Sequence, residues 1–267
     1  MLNKRVFLLM PYAIIALLLM ILPMIFLLVR AIEPAVHNFD NWQIVKLPTM
    51  WIIMGRSILV GLVAAIICLL IGFPYAYIVA RSKSQTFRIL AISLIISPLF
   101  VFTIIKVLAL KGLLLAMFSE DGLNNLTTLI VGLSYLNLPF MIIPLYSVLY
   151  NMPSSLLEAS EDLGFNRFVT IFKVVIPYSL KAIAAGYALV FMLGATSIIV
   201  SQKLIPKNES LKLIGNLLDN SRIQTKETDA AIASTIALIT MAIMMVIYAI
   251  LYTSPFLIRK LRGGINV

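Results

Sequence analysis

The chain has 267 residues, 61% of them hydrophobic and only 12% charged, with a formal net charge of +10. A soluble domain is nearer half apolar and a quarter charged, so these proportions exclude an ordinary soluble protein. One cysteine and one histidine exclude an intrachain disulfide and a Cys/His metal site.

An apolar run of about 20 residues crosses about 30 Å of hydrocarbon at a helical rise of about 1.5 Å per residue. Six such runs occur, at about 6–29, 57–80, 89–110, 127–150, 181–201 and 229–254. They predict an all-α integral membrane protein of six transmembrane helices, forming a single domain over residues 1–267. The first run follows Lys4 and Arg5, but it is too long for a signal-peptide core and no small-residue cleavage site follows. It is therefore expected to be a retained helix. Cys68 lies within the second run, where it fits a small buried apolar position. Pro98 is expected to bend the third span, and Pro139 and Pro144 to bracket a bend in the fourth. Residues 151–180 and 202–228 form the two longest polar connections.

With six spans both termini lie on one side. That side carries eleven Lys and Arg and the other nine, which with Lys106 in the third span accounts for all 21. Distribution decides what the totals do not. "RSKSQTFR", residues 81–88, is a short basic loop, whereas five of the nine opposing cations sit in one long loop. Short basic loops stay cytoplasmic, so both termini are expected in the cytoplasm of a plasma-membrane protein. Cations flanking membrane helices also meet anionic lipid, and the positive charge needs no nucleic acid to explain it.

No G-x-x-x-x-G-K-[ST] phosphate loop, G-x-S-x-G elbow or H-E-x-x-H motif occurs. All eleven acids fall in loops or at helix edges. An ion-coupled carrier keeps an ionisable group within the membrane, and here Lys106 alone is placed there. Energy for uphill transport is therefore expected from another chain.

The segment that breaks the apolar pattern is "SSLLEASEDLGFNRFVTIFKVVIP", Ser154 to Pro177. Ser155 and Glu158 are spaced as a capping box. Glu158, Glu161 and Asp162 lie near that helix start, where the dipole favours anions. Gly164 marks a bend, after which Phe165, Phe168, Phe172 and Val175 recur at helical spacing until Pro177. The pattern predicts two short helices joined at a glycine beneath the membrane. Such a pair serves equally as an interfacial helix on lipid headgroups or as a docking element for another protein.

"EASEDLGFNRFVTIFKVVIP" resembles the EAA loop of ABC importer permeases, matching at Glu158, Ala159, Gly164 and Pro177, with Ser160 in place of the second alanine. The likeness extends over most of the chain and is greatest to the spermidine/putrescine (PotB-type) permeases. It includes "SILVGLVAAIICLLIGFPYAYIVARSK" with its Gly72-Phe73-Pro74 element, and "LKLIGNLL" with Leu213 to Asn216. The resemblance implies a type I ABC importer permease (MetI-like) fold. It also implies that the loop docks on a cytoplasmic ATPase, with Glu158, Ala159, Ser160, Gly164 and Pro177 carrying the coupling and Phe165 and Phe168 as anchors. The implied partners are two copies of that ATPase, a second homologous permease and an extracytoplasmic substrate-binding protein. ATP and magnesium belong to the ATPase, no cofactor to this chain, and the chain is a transport subunit with no enzymatic activity.

Departures fall in the third span, where "PLFVFTIIKVLALK" places Phe100 for a family tryptophan, Phe102 for asparagine, Lys106 for arginine and Leu108 for tyrosine. Lys207-Asn208 replaces a Gly-Gly pair, and Thr228-Asp229 a Trp-Pro pair. Polyamines are held by aromatic faces and acids. Fewer aromatics and no acid in the spans leave two alternatives: selectivity resides on the external binding protein, or the substrate is another one, such as thiamine, ferric iron or a phosphonate. An ATP-independent carrier or channel is the reading from a different class.

Polar residues within the apolar runs are the candidates for the translocation path: Lys106, Tyr135, Asn137, Tyr146, Thr196 and Ser197, with Gln202 at the edge. Serine and threonine also bond to their own helix backbone, and tyrosines also line interfaces. Gly186 and Gly194 are small-residue positions suited to close helix packing. "ESLKLIGNLLDN" in the outer loop has the pattern of a short amphipathic helix, a surface for the binding protein by resemblance or equally a lid on its own bundle.

Overall fold

The computed structural model describes residues 4–32, 40–118, 123–206, 209–223 and 227–261, and every regular element among them is helical. His37, Lys207 and Asn208 lie outside the described residues, as do the side chains of Thr228 and Asp229. The chain divides into two compact units, Met1–Trp51 with Leu217–Ile243, and Ile52–Asn216 with Met244–Val267.

In the first unit, α1 (Lys4–Ile32) is long and apolar enough to cross a membrane from Met10 onward. Its described side chains are exposed almost throughout, as befits a helix surrounded by lipid. Its last carbonyls are capped by Asn41, whose Nδ2 donates to Ala31 at 3.3 Å and to Arg30 at 3.4 Å. Asp40 accepts from Lys46 Nζ at 2.7 Å and from the Trp42 N–H at 3.0 Å. These two hydrogen bonds, Lys46 first, hold its carboxyl below the usual carboxylate range. The pair's contribution is present above that range and lost in acid, and at this exposure it is small.

The second unit contains most of α2 (Pro48–Arg81), then α3 (Gln85–Ile96), α4 (Thr103–Met117), α5 (Leu126–Tyr150), α6 (Ser155–Asp162), α7 (Arg167–Thr170), α8 (Ile176–Ala195), α9 (Ile199–Leu204) and the start of α10 (Ile214–Ile223). The last helix, α11 (Glu227–Leu261), contains the span Ala231–Thr253. At the centre of the second unit α5 packs chiefly on α8. A buried apolar cluster joins Val60 and Ala64 of α2, Val107 of α4, Leu129, Leu133 and Leu136 of α5, and Val200 and Leu204 of α9. Cys68 is buried as expected, its thiol 3.3 Å from the Ser134 carbonyl. Where α2 meets α8, a Cβ on Gly61 would lie 2.9 Å from Ala195 Cβ and 3.0 Å from the Phe191 carbonyl oxygen. The two backbones touch at that point.

Among the described residues, five helices are long and apolar enough to span a membrane, or six when a bent pair counts as one. That pair is the third expected span. Pro98 does bend it, but the change of direction is far larger than a proline kink. The chain passes through a 3₁₀ turn, Ser97–Phe100, extends at Val101, and restarts as α4 at 106° to the segment before. In contrast, α5 runs unbroken through Pro139 and Pro144.

The fifth span also differs from expectation. It begins at Arg167, not near 181, and runs continuously to Ala195. Pro177 was expected to end the second short helix. It sits instead in the first turn of α8, after a π turn at Ile171–Val175. Proline lacks an N–H and its ring crowds the carbonyl four residues back, and a widened π turn just before it relieves both faults without stopping the helix. The span then ends at 195, six residues early, and α9 follows after a break at residues 196–198.

Candidate functional site

The polar segment after α5 is fixed at its start by Arg81. The guanidinium at the end of α2 donates to the Met152 carbonyl at 3.0 Å, closing the C-terminal end of α5. The expected capping box is not formed. Ser154 is the N-cap in helical conformation (φ −64°, ψ −31°) with no side-chain cap bond, and Ser155 is already the first helical residue. A capping side chain needs an extended backbone to reach the free N–H groups. Here Pro153 and Ser154 lead in as a turn whose carbonyls accept from Leu156 and Leu157.

The end of α6 is a Schellman motif. The Gly164 N–H donates to Glu161 O at 2.8 Å and the Phe165 N–H to Ser160 O at 3.0 Å. Gly164 has φ +74°, the left-handed region that glycine occupies without strain. Asn166 then caps α7, its Oδ1 accepting from the Val169 N–H at 2.9 Å. Phe165 therefore precedes the helix and does not share a stripe with Phe168 and Phe172.

The two helices are clasped by one buried polar contact. Ser160 is 3% exposed, and its hydroxyl lies 2.7 Å from Leu157 O and 3.0 Å from the Thr170 hydroxyl. This gives the serine at the EAA position a structural task that spacing alone did not reveal. Around the clasp, Glu158, Ala159 and Gly164 are exposed. Leu163, Phe168 and Phe172 stand 73%, 76% and 68% exposed. Phe165 is partly buried, with Lys173 Nζ 4.7 Å from its ring centroid. The segment thus offers an apolar patch with acids beside it, on two helices held at a fixed angle.

A second feature lies at the bend of the third span. A cavity of about 520 Å³ is lined by Leu99–Thr103 and Lys106, by Leu133, Leu136, Asn137 and Phe140 of α5, and by Leu193, Ser197 and Val200. Three sequence candidates meet here: Lys106, Asn137 and Ser197. The others do not. Tyr135 points away and is 46% exposed. Tyr146 stacks on Tyr150 at 5.6 Å, and Tyr150 in turn carries Arg88 at 4.8 Å, an aromatic-cation group at the end of α5. Thr196 bonds back to Met192 O at 2.7 Å. Gly186 and Gly194 serve packing: an added Cβ would meet Met141 Sδ at 3.0 Å and Gly61 Cα at 3.5 Å, respectively.

The outer segment Leu213–Asn216 proves more buried than its polar neighbourhood implied. Leu213, Ile214 and Asn216 are fully buried. The Ile214 N–H donates to Ser57 Oγ at 2.8 Å, pinning the segment to α2. Leu213 and Ile214 face inward, so this part of the loop packs on its own bundle.

The matches to known proteins agree with this architecture. A family profile described as "Binding-protein-dependent transport system inner membrane component" matches residues 57–258. A spermidine/putrescine transport system permease protein PotB homolog of Mycoplasma genitalium is 31% identical over 267 residues, covering 90% of each chain. The spermidine/putrescine transport system permease protein PotB of Haemophilus influenzae is 30% identical over 226 residues, 79% of this chain and 78% of that one. PotB of Escherichia coli is 29% identical, covering 80% and 82%. Among solved structures, a bacterial ABC transporter involved in the import of the acidic polysaccharide alginate superposes with a TM-score of 0.70 at 16% identity, over 94% of this chain and 96% of that one. That likeness carries the fold. The chain belongs to the binding-protein-dependent inner-membrane transport components, and it is a multi-pass permease subunit of an ABC importer, not an enzyme.

Proposed function

We propose that this permease imports polyamines of the spermidine/putrescine class, forming half of the translocation path and taking its drive from a separate ATPase through residues 151–180. The observation that carries the coupling is the clasped α6–α7 pair with its exposed Leu163, Phe168 and Phe172. Glu158, Ala159, Ser160 and Gly164 belong to that pair, Pro177 lies in the first turn of the span above it, and Phe168 is its principal anchor, since Phe165 is engaged by Lys173. The path runs through the cavity at Lys106, Asn137 and Ser197. The substrate class is supported by the PotB relatives. The complete machine has two ATPase copies holding ATP and magnesium, a second similar permease and an external binding protein. The distribution of Lys and Arg supports a cytoplasmic position for both termini and the docking pair.

A tagged chain extracted in mild detergent should carry an ATPase and a second permease with it, identified by mass spectrometry. Recovery of the chain alone, from membranes that contain the ATPase, would refute the subunit arrangement.

Lys106 gives a test of the cargo. Among the described residues no acid lines the cavity. A like charge against a polycation costs about 1 kcal/mol at about 4 Å in water, about fivefold in rate. Lys106→Met is therefore expected to raise maximal spermidine uptake by about that factor, leaving the half-saturating concentration unchanged because the binding protein sets it. The same cation favours a second reading, an anionic substrate such as a phosphonate. In that case Lys106→Met lowers uptake of the anion, and spermidine fails to compete.

A further inference from the structure

Asn216 is the one fully buried amide side chain among the described residues. Its Oδ1 accepts from the Ser201 hydroxyl of α9 and from the Leu213 N–H at 3.2 Å, and its Nδ2 lies 3.4 Å from the Ile198 carbonyl. Ser201 also reaches that carbonyl, at 3.1 Å. Beside it, a Cβ on Gly215 would lie 2.5 Å from the Thr196 carbonyl oxygen and 2.7 Å from Ile198 Cγ1. The outer segment is therefore seated, through side-chain bonds and backbone contact, on the break at 196–198. That break is where the fifth span stops, and Ser197 within it lines the cavity with Lys106 and Asn137.

We propose that Asn216 is a positioning residue that ties the outer loop to the α8–α9 break, so that the two move as one body and a protein seated on the outer face reshapes the path through residues 196–198. The inference rests on the reading of the cavity as part of the path. Three properties favour a relay over simple packing. The contact is polar, directional and centred on a fully buried amide, so it has a defined geometry to transmit. It ends on the Ile198 carbonyl in a non-helical break, where the chain can change conformation without melting a helix. It joins the loop to residues next to Ser197 and Val200 of the cavity wall, 15 residues apart at Ser201 and 18 at Ile198.

The test uses the complete importer in liposomes, with ATP hydrolysis measured with and without its binding protein. In the wild type the binding protein should stimulate hydrolysis. Asn216→Ala should assemble normally, lose that stimulation, and reduce uptake about tenfold, within the range produced by mutations along a coupling network. The decisive variant is the double substitution Ser201→Cys with Asn216→Cys. Reduced, it lacks the amide bonds and should be uncoupled. Oxidised, the cross-link replaces them and should restore stimulation and uptake, a rescue that a purely structural residue does not show. Where Asn216→Ala fails to assemble, the reduced and oxidised double variant decides alone. Stimulation at wild-type level in the reduced double variant would overturn the relay, and so would loss of uptake on oxidation, since it means the contact must open. A wild-type complex indifferent to its binding protein would overturn the importer reading itself and the relay with it.

Discussion

Phe168→Glu is expected to leave the permease in the membrane at wild-type abundance and to abolish its association with the ATPase. The ring is 76% exposed and contributes little to its own fold, so the substitution costs the isolated chain at most about 0.5 kcal/mol. On a partner the same ring buries most of its surface, worth about 1.5–3 kcal/mol for a side chain of this size. Central aromatic anchors of an interface lose about 2 kcal/mol or more on truncation, and a buried unpaired carboxylate adds to that. Co-purification of the ATPase should fall at least thirtyfold, with uptake lost in parallel. Gly164→Asp is the companion test. Nothing lies within 4 Å of the added Cβ, so there is room for the side chain, and only the left-handed backbone opposes it, by about 1 kcal/mol. Gly164→Asp should therefore insert normally yet fail to couple, because it adds a charge beside the exposed Leu163. Wild-type ATPase recovery in both variants would place the docking surface elsewhere.

The second large effect is of the opposite kind. Gly61→Val should prevent accumulation of folded protein. The added carbon meets Ala195 Cβ at 2.9 Å and two backbone atoms, the Ala195 nitrogen and the Phe191 carbonyl oxygen, at 3.0 Å. Backbone cannot rotate aside as a side chain can, so α2 and α8 must separate. Overpacking of this kind costs about 1–3 kcal/mol or more, and here it also strains the bond from Tyr187 Oη to the Leu62 carbonyl at 3.2 Å. Gly55→Ala and Gly112→Ala are the controls, since an added Cβ meets nothing at either position. Abundance and thermal aggregation in detergent should separate Gly61→Val sharply from both. Equal abundance of all three would show that the α2–α8 contact is dispensable.

Much of this was legible in the chain itself, because membrane spans and the EAA pattern are local signals. Apolar length pointed to the spans, although the fifth begins at Arg167 and not near 181, and Pro98 marked the bend of 106° in the third. The misses have physical reasons. Ser155 and Glu158 carry the spacing of a capping box, but the turn at Pro153 brings the chain in already helical, and spacing does not report backbone conformation. Pro177 had the look of a stop, yet a π turn beside it lets the helix continue. Tyr146 and Thr196 are polar in an apolar run, but a stacked ring and a backbone carbonyl satisfy them. Gly215 and Asn216 were visible only as part of a family element. Their task depends on carbonyls at 196 and 198, and no local pattern reports contacts with a chain segment nearly 20 residues away. One signal was available: an asparagine in a run of Leu and Ile must be satisfied or exposed, and an apolar neighbourhood on both sides argues for the former.

The unbroken course from Arg167 to Ala195 has a mechanical consequence. These 29 residues form a rod about 44 Å long at the helical rise, with one end in the docking pair and the other at the break beside the cavity. The Ser160–Thr170 clasp fixes α6 to its base, and the π turn is its one widened coil. A tilt of about 10° imposed at the base sweeps the far tip through about 8 Å with no bond along the way being broken. On the proposed coupling, force applied to the docking pair is delivered to the wall of the proposed path as leverage, and the clasp makes α6 and the rod tilt together.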